Sequence, residues 1–310
     1  MLAEDALSPE ALRALQQRAD RPGLLRLAGH FVAILGTASL YALTLSAPLP
    51  ALVSLLAATG YGFTLATMFA AMHESVHRTA FKTRWLNDAV GWVAGLLSFY
   101  NSTFYRHYHG WHHRFTQLPG QDPELEDGKP TSYPSYALEL SAIPWWIGKL
   151  KTHFAIALGK VERFGFLNER TRPEVVRSVR LQLLTYGAAI AVSFAVREPL
   201  FVTYWLLPMA LGQPLLRAIL LAEHTGCSND SNPLTNTRTT YTIWPVRFLM
   251  WEMPYHAEHH RYPALPFYSL ARAHEALGPR LQFVERGGYL GLNLGLLKAI
   301  AGKTNAEPTA

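Results

Sequence analysis

The amino-acid sequence predicts an all-α integral membrane protein: four transmembrane helices in two hairpins, with a cytoplasmic helical cap that carries most of the histidines. Three observations predict it. Of 310 residues, 49% are hydrophobic and only 16% charged, against about 25% charged in ordinary soluble domains. Apolar runs come in two pairs, each pair joined by a short turn. Thirteen histidines are present, and most gather just past the ends of those runs.

The chain reads as one domain, 1–310. Residues 1–26 are polar and acidic, with Ser8 as N-cap and Pro9 at the first helical position. They lack the basic start and apolar core of a cleavable signal peptide, and predict an amphipathic helix resting at the cytoplasmic surface. Residues 27–72 form the first hairpin: 27–47 and 51–72, separated only by "PLP", can each cross a hydrocarbon core of about 30 Å at 1.5 Å per residue. Residues 73–180 form a long cytoplasmic and interfacial segment. Within it, 89–100 is too short to span, and 136–159 mixes Trp145, Trp146, Lys149 and Lys151 with aliphatics, so both predict interfacial or re-entrant helices. Residues 181–222 are the second hairpin, 181–196 and 200–222, turning at Arg197-Glu198-Pro199. Residues 223–310 complete the cap, with 302–310 as a disordered tail.

Basic residues set the orientation. They recur through 73–180, from Arg78 and Lys82 to Arg177 and Arg180, while the two hairpin turns hold Arg197 alone. Both termini and the long middle segment are therefore expected in the cytoplasm. The net charge of +6, in a chain with apolar spans, points to anionic headgroups or an acidic protein partner and away from nucleic acid. A lone cysteine, Cys227, excludes an internal disulfide framework, a cysteine-ligated zinc module and an iron–sulfur centre.

The histidines carry the chemistry. "HESVH" places His73 and His77 at i, i+4 beside Glu74, the H-E-x-x-H spelling of a zinc protease. "HGWHH" supplies His109, His112 and His113, "HAEHH" supplies His256, His259 and His260, and "AEHTGC" adds His224. Helical phase predicts that each H-x-x-H-H turns three imidazoles toward one point. One zinc takes about four ligands, so nine convergent imidazoles suit two metals with open positions better. Imidazole accepts iron, copper, nickel or zinc, and iron leads because helical scaffolds hold di-iron sites between facing helices. His107 is a possible extra ligand. Glu74, Asp122, Glu223 and Glu258 are candidates to accept the ligands' outer N–H groups. Arg238, in "NPLTNTRTT", could contact a polar headgroup or carrier. His30, His153 and His274 stand alone in sequence and receive no role.

In these boxes the chain resembles the membrane fatty acid desaturase superfamily, whose pattern is H-x(3–4)-H followed by two H-x(2–3)-H-H boxes, many members having one more histidine before the last. The resemblance extends over most of 27–275. It implies two iron ions held by His73, His77, His109, His112, His113, His224, His256, His259 and His260. It implies dioxygen as co-substrate and desaturation of a long acyl chain, lipid- or carrier-bound, with no catalytic side chain beyond the metal centre. Electrons must then come from a separate ferredoxin- or cytochrome-type donor, which a basic cytoplasmic face would attract. The expected location is a bacterial inner membrane with the active site on the cytoplasmic side.

Three rivals remain open. A hydroxylase of the same superfamily, acting on a carotenoid ring or another hydrocarbon, would use the same boxes. An intramembrane zinc metalloprotease would use His73, His77 and Glu74, but needs a third ligand, and the predicted spans carry no aspartate. A metal transporter would place its histidines mid-span rather than beyond the span ends.

Overall fold

The computed structural model describes residues 6–126 and 128–304 and is almost wholly helical. Short α1 (Pro9–Leu15) is capped by Ser8, whose hydroxyl accepts from Ala11 N–H at 3.2 Å. Helix α2 (Asp20–Ser46) follows, then α3 (Ala51–Ala66), which continues through a turn at Thr67 into α4 (Met68–Val76). Next come α5 (Arg84–Ser98), α6 (Ser102–Phe115), α7 (Tyr133–Leu140), α8 (Ile143–Ala157) and α9 (Arg172–Ala195). A π-helical turn at Val202–Leu206 leads into α10 (Leu207–His224), where prolines at 208 and 214 disturb the regular ladder.

Four stretches are long and apolar enough to cross a membrane: Asp20–Ser46, Ala51–Val76, Arg172–Ala195 and Val202–His224. The first begins seven residues before the expected 27, the second runs four residues past 72, and the third begins nine residues before 181. Hydropathy marks only the part of a helix that suits lipid, whereas backbone hydrogen bonding carries it into polar flanks. The extra turns matter, because the second and fourth helices thereby carry His73 and His224 themselves.

The spans are inside-out compared with a soluble protein. Val32, Leu35, Leu184 and Phe194 are exposed, whereas His30, Thr64, Gln182 and Gln213 are buried. Helices α3 and α10 cross at Gly62 and Gly212, where backbones nearly touch. A Cβ at Gly62 would lie 1.7 Å from the Pro208 carbonyl oxygen, and one at Gly212 would lie 2.0 Å from the Gly62 carbonyl carbon. That crossing sets α4 and the end of α10 side by side.

The remaining chain closes over this end. Strand β1 (Thr239–Thr240) precedes α11 (Trp244–Leu249), α12 (His256–Arg261) and α13 (Phe267–Leu277); β2 (Val284–Glu285) pairs parallel with β1 and leads into α14 (Gly288–Thr304). The two-residue pair is the sole strand pairing among the described residues. Of the expected tail, 302–304 finish α14 and 305–310 lie outside the described residues, as do 1–5 of the N-terminal segment. The segment 136–159 divides into α7 and α8 at Ala142, which adopts φ +58°.

Candidate metal centre

Each histidine-bearing element is pinned before it reaches the centre. Phe99 takes φ +61° to close α5, and Asn101 then caps α6 by accepting from Phe104 N–H at 2.9 Å. The Asn101 amide also donates to Gln182 Oε1 at 3.0 Å, tying α6 to α9. Ahead of α12, Trp251 and Glu252 both adopt positive φ, a sharp turn that non-glycine residues hold only under constraint. Glu252 is clamped by Arg26 at 3.0 Å and Arg247 at 2.9 Å. The Trp251 indole N–H donates to His30 Nδ1 at 3.2 Å, so His30 Nε2 carries the proton and donates to the Thr64 carbonyl at 3.0 Å. His30 thus fixes the approach to the last histidine box from two spans away.

The imidazoles form two adjoining groups. The Nε2 atoms of His73, His109, His113 and His259 make a closed ring with successive distances of 3.0, 2.9, 3.0 and 3.0 Å. Nitrogens about 2.0–2.1 Å from one ion and at right angles to each other lie about 3.0 Å apart, so this spacing fits a common metal. The His77 ring lies 4.7–5.1 Å from all four and completes a five-donor set. The second group is His112, His224, His256 and His260: His256 Nε2 lies 3.2 Å from His224 Nε2 and 3.1 Å from His260 Nε2, and the His112 ring is about 5 Å from those of His224 and His260.

The boxes therefore do not each converge on one point. His109 and His113 join the first group while His112 joins the second; His256 and His260 join the second while His259 joins the first. At 100° per residue, i and i+4 differ by 40°, but i+3 and i+4 differ by a full 100°, so one triplet serves two neighbouring centres. His107, about 200° from His109 on α6, is half-buried and enters neither group.

Outer nitrogens are held in four cases. His112 Nδ1 donates to Asp122 at 2.9 Å, His224 Nδ1 to the Asn236 carbonyl at 3.0 Å, His260 Nδ1 to Thr116 Oγ1 at 3.2 Å, and His109 Nδ1 to Tyr105 Oη at 3.3 Å. Asp122 also accepts from the amides of Gln117 (2.7 Å) and Glu124 (2.9 Å). Burial opposes its charge, but His112 and those amides win and hold its carboxyl below the usual range. Burial first, then mutual repulsion, keeps His109, His113, His259 and His260 well below the ordinary imidazole range, in the neutral form that metals take. His112 is the exception: burial lowers it, but Glu124 and Asp122 together raise it.

The other three carboxylates do not accept from a ligand's outer nitrogen. Glu74 accepts from Thr79 Oγ1 at 3.0 Å, which leaves the protease reading without its base at the metal side. Glu258 takes the hydroxyl of Thr239 and the Nδ1–H of His274, which in turn meets Tyr241. Both follow a ligand by one residue or precede one by one, and that 100° step points them off the ligand face. Glu223 stands on the inner side, 3.6 Å from His256 Nε2. Glu124, unmarked in the sequence apart from lying two residues after Asp122, stands likewise 3.6 Å from His112 Nε2. Arg238 is buried and donates to the Ala222 carbonyl.

Four apolar helices closed by two adjoining sets of imidazole donors define a class: a helical protein with four helices long and apolar enough to cross a membrane and histidine clusters able to hold metal. The family model described as Fatty acid desaturase matches residues 16–288, and the chain belongs to that family. It is 27% identical over 240 residues to a Picosynechococcus protein named sn-1 oleoyl-lipid 12-desaturase, covering 70% of this chain and 66% of that one. It is 24% identical over 232 residues to the chloroplastic omega-6 fatty acid desaturase of Brassica napus, covering 70% and 52%. It is also 24% identical over 216 residues to a Haematococcus lacustris protein named Beta-carotene 4-ketolase 3, covering 68% and 59%. The chain spans from about half to just under two thirds of these relatives' lengths.

Proposed function

We propose that this chain is an oxygen-dependent acyl-chain desaturase working through two irons. The carrying observation is the closed 2.9–3.0 Å ring of four Nε2 atoms, with a second imidazole group beside it. His73, His77, His109, His113 and His259 would hold one iron; His112, His224, His256 and His260 would hold the other, with Glu124 and Glu223 beside them. Bound iron supplies dioxygen activation and removal of hydrogen from an unactivated C–H bond. The protein's own residues keep the imidazoles neutral, fix their rings through Asp122, Asn236, Thr116 and Tyr105, and bury the site from water. Two hydrogens leave adjacent methylenes as a C=C bond forms; with O2, two electrons and two protons they end as two waters.

The electrons require an external ferredoxin- or cytochrome-type donor, and the basic residues of 73–180 give it a complementary cytoplasmic face. The substrate would be a lipid- or carrier-bound acyl chain, and the membrane a bacterial inner membrane. A second reading, oxygen insertion into a hydrocarbon such as a carotenoid, is favoured by the similarity to a protein named as a ketolase.

The test is expression of the full chain in a bacterial host with a ferredoxin donor, followed by mass spectrometry of lipids and acyl carriers, with His259→Ala as control. A product two hydrogens lighter, absent in the control, is expected. A product one oxygen heavier overturns desaturation in favour of the second reading.

A further inference from the structure

Next to the metal centre lies a cluster of hydrogen-bond donors that the chain itself leaves unspent. Arg217 of α10 donates to Tyr100 Oη at 3.0 Å, and the Trp145 indole donates to the same oxygen at 3.1 Å. The phenol oxygen is thereby filled as an acceptor, and its own O–H remains to be given. Arg217 Nε is buried without an acceptor. The Lys149 ammonium rests 3.6 Å from the Tyr100 ring centroid, and among the described residues it makes no hydrogen bond or ion pair. Arg217 likewise has no carboxylate partner there. Glu124 and Glu223, whose charges reach this cluster, stand against His112 and His256 instead.

One turn from Arg217, on the same face of α10 as His224, Gln213 is fully buried with both amide atoms unpaired. Two cations side by side with no carboxylate in contact are costly in a half-buried site. Burial and the nearby Arg217 push the Lys149 ammonium down to about 7, which an incoming anion would reverse. Such a surplus of donors around two cations is a site built for an anion.

The cluster is also continuous with the metal centre. The Tyr100 ring lies 4.7 Å from Phe69 and 5.7 Å from Tyr105; Phe69 lies 5.8 Å from the His73 ring, and Tyr105 stacks on His109 at 4.9 Å. A continuous run of packed aromatic side chains thus links the cations to the five-histidine group.

We infer that Arg217, Lys149 and Tyr100 seat the anionic head, carboxylate or phosphate, of the amphiphile whose hydrocarbon reaches the metal centre. Calling that amphiphile the substrate rests on the desaturase reading. The anion seat itself rests on the unspent donors. Gln213 extends the donor row one turn farther along α10.

The experiment uses the full-length, iron-loaded chain in a neutral detergent and three probes sharing one tail: oleate, oleyl phosphate and oleyl alcohol. Oleate, oleyl phosphate or both should bind at least about tenfold more tightly than the alcohol, and Arg217→Met or Lys149→Met should each remove about tenfold of that preference. Iron content should be unchanged, and Arg217→Lys should recover part of the loss. Preference for the carboxylate identifies a free acid, and preference for the phosphate a lipid head. Equal binding of all three, anion binding that ignores both Met variants, or no binding of any probe overturns the seat. If Arg217→Met fails to load iron, Lys149→Met and the head comparison still decide. Head-selective binding with no oxygen-dependent product overturns the desaturase reading alone. Turnover of the alcohol as readily as of oleate overturns only the role as substrate seat.

Discussion

Asp122 is the residue on which the second imidazole group leans most heavily. Among the described residues it alone of the carboxylates meets an outer nitrogen of the clustered histidines, and two backbone amides hold it in place. Asp122→Asn keeps the shape but removes the charge, and its single carbonyl oxygen cannot serve both His112 and Gln117 N–H, so an NH2 donor is set against one of them. We expect iron per chain to fall toward one, with metal affinity of the second site down about 10- to 100-fold. Glu74→Gln, whose parent bonds Thr79, should keep both irons. Iron analysis by mass spectrometry on purified protein decides; equal loss in the two variants would overturn the distinction. That these histidines gather was legible in the sequence, because clustered histidines at helical spacing have few other uses. Their division between two groups was not, because residues on one helix face, such as i+3 and i+4, still point 100° apart. Residues such as His30, Glu124 and His274 carry no spacing signal, since their partners lie on other elements.

Elements bring these side chains together through one backbone crossing. Gly62 of α3 and Gly212 of α10 touch so closely that neither accommodates a Cβ, and the crossing fixes His73 and His224 at one level. Gly62→Ala should cost more than about 2 kcal/mol, since overlap with the Pro208 backbone cannot be relieved by a rotamer change. Gly60→Ala, on the same helix with nothing near its Cβ position, should be neutral or slightly stabilising. Thermal unfolding in detergent compares the two, and a similar midpoint for both would show that the crossing is not close. The apolar runs were legible from composition and length. The polar ends of the helices were not, and neither was the turn at Trp251 and Glu252, whose backbone is held by Arg26, Arg247 and His30 rather than by any local turn residue.

At the scale of the whole chain, one end of the helix set is closed by side chains that gain little from one another. Nine imidazoles from α4, α6, α10 and α12 and the residues flanking them meet there, and His73, His113, His256 and His259 each have a buried Nδ1 without a partner. Ring nitrogens 3.0 Å apart around a closed circuit cannot all be satisfied by donating to one another, because each Nε2 is either an N–H donor or a lone-pair acceptor and never both. On the proposed reading a metal would be the common partner, and its binding energy would belong to the folded chain and not the unfolded one. At a free metal concentration about a hundred times the dissociation constant, one site contributes roughly 2.7 kcal/mol. Stripping metal with a chelator should lower the unfolding midpoint by several degrees. The effect should be largest on the contacts that close the histidine end and least on the lipid-facing spans, which rest on their own packing. Hydrogen exchange of the two forms reads this directly: faster exchange in α6 and α12, with α2 and α9 unchanged, is expected. Uniform loosening across all four spans would show that the centre holds the whole bundle together rather than its closed end.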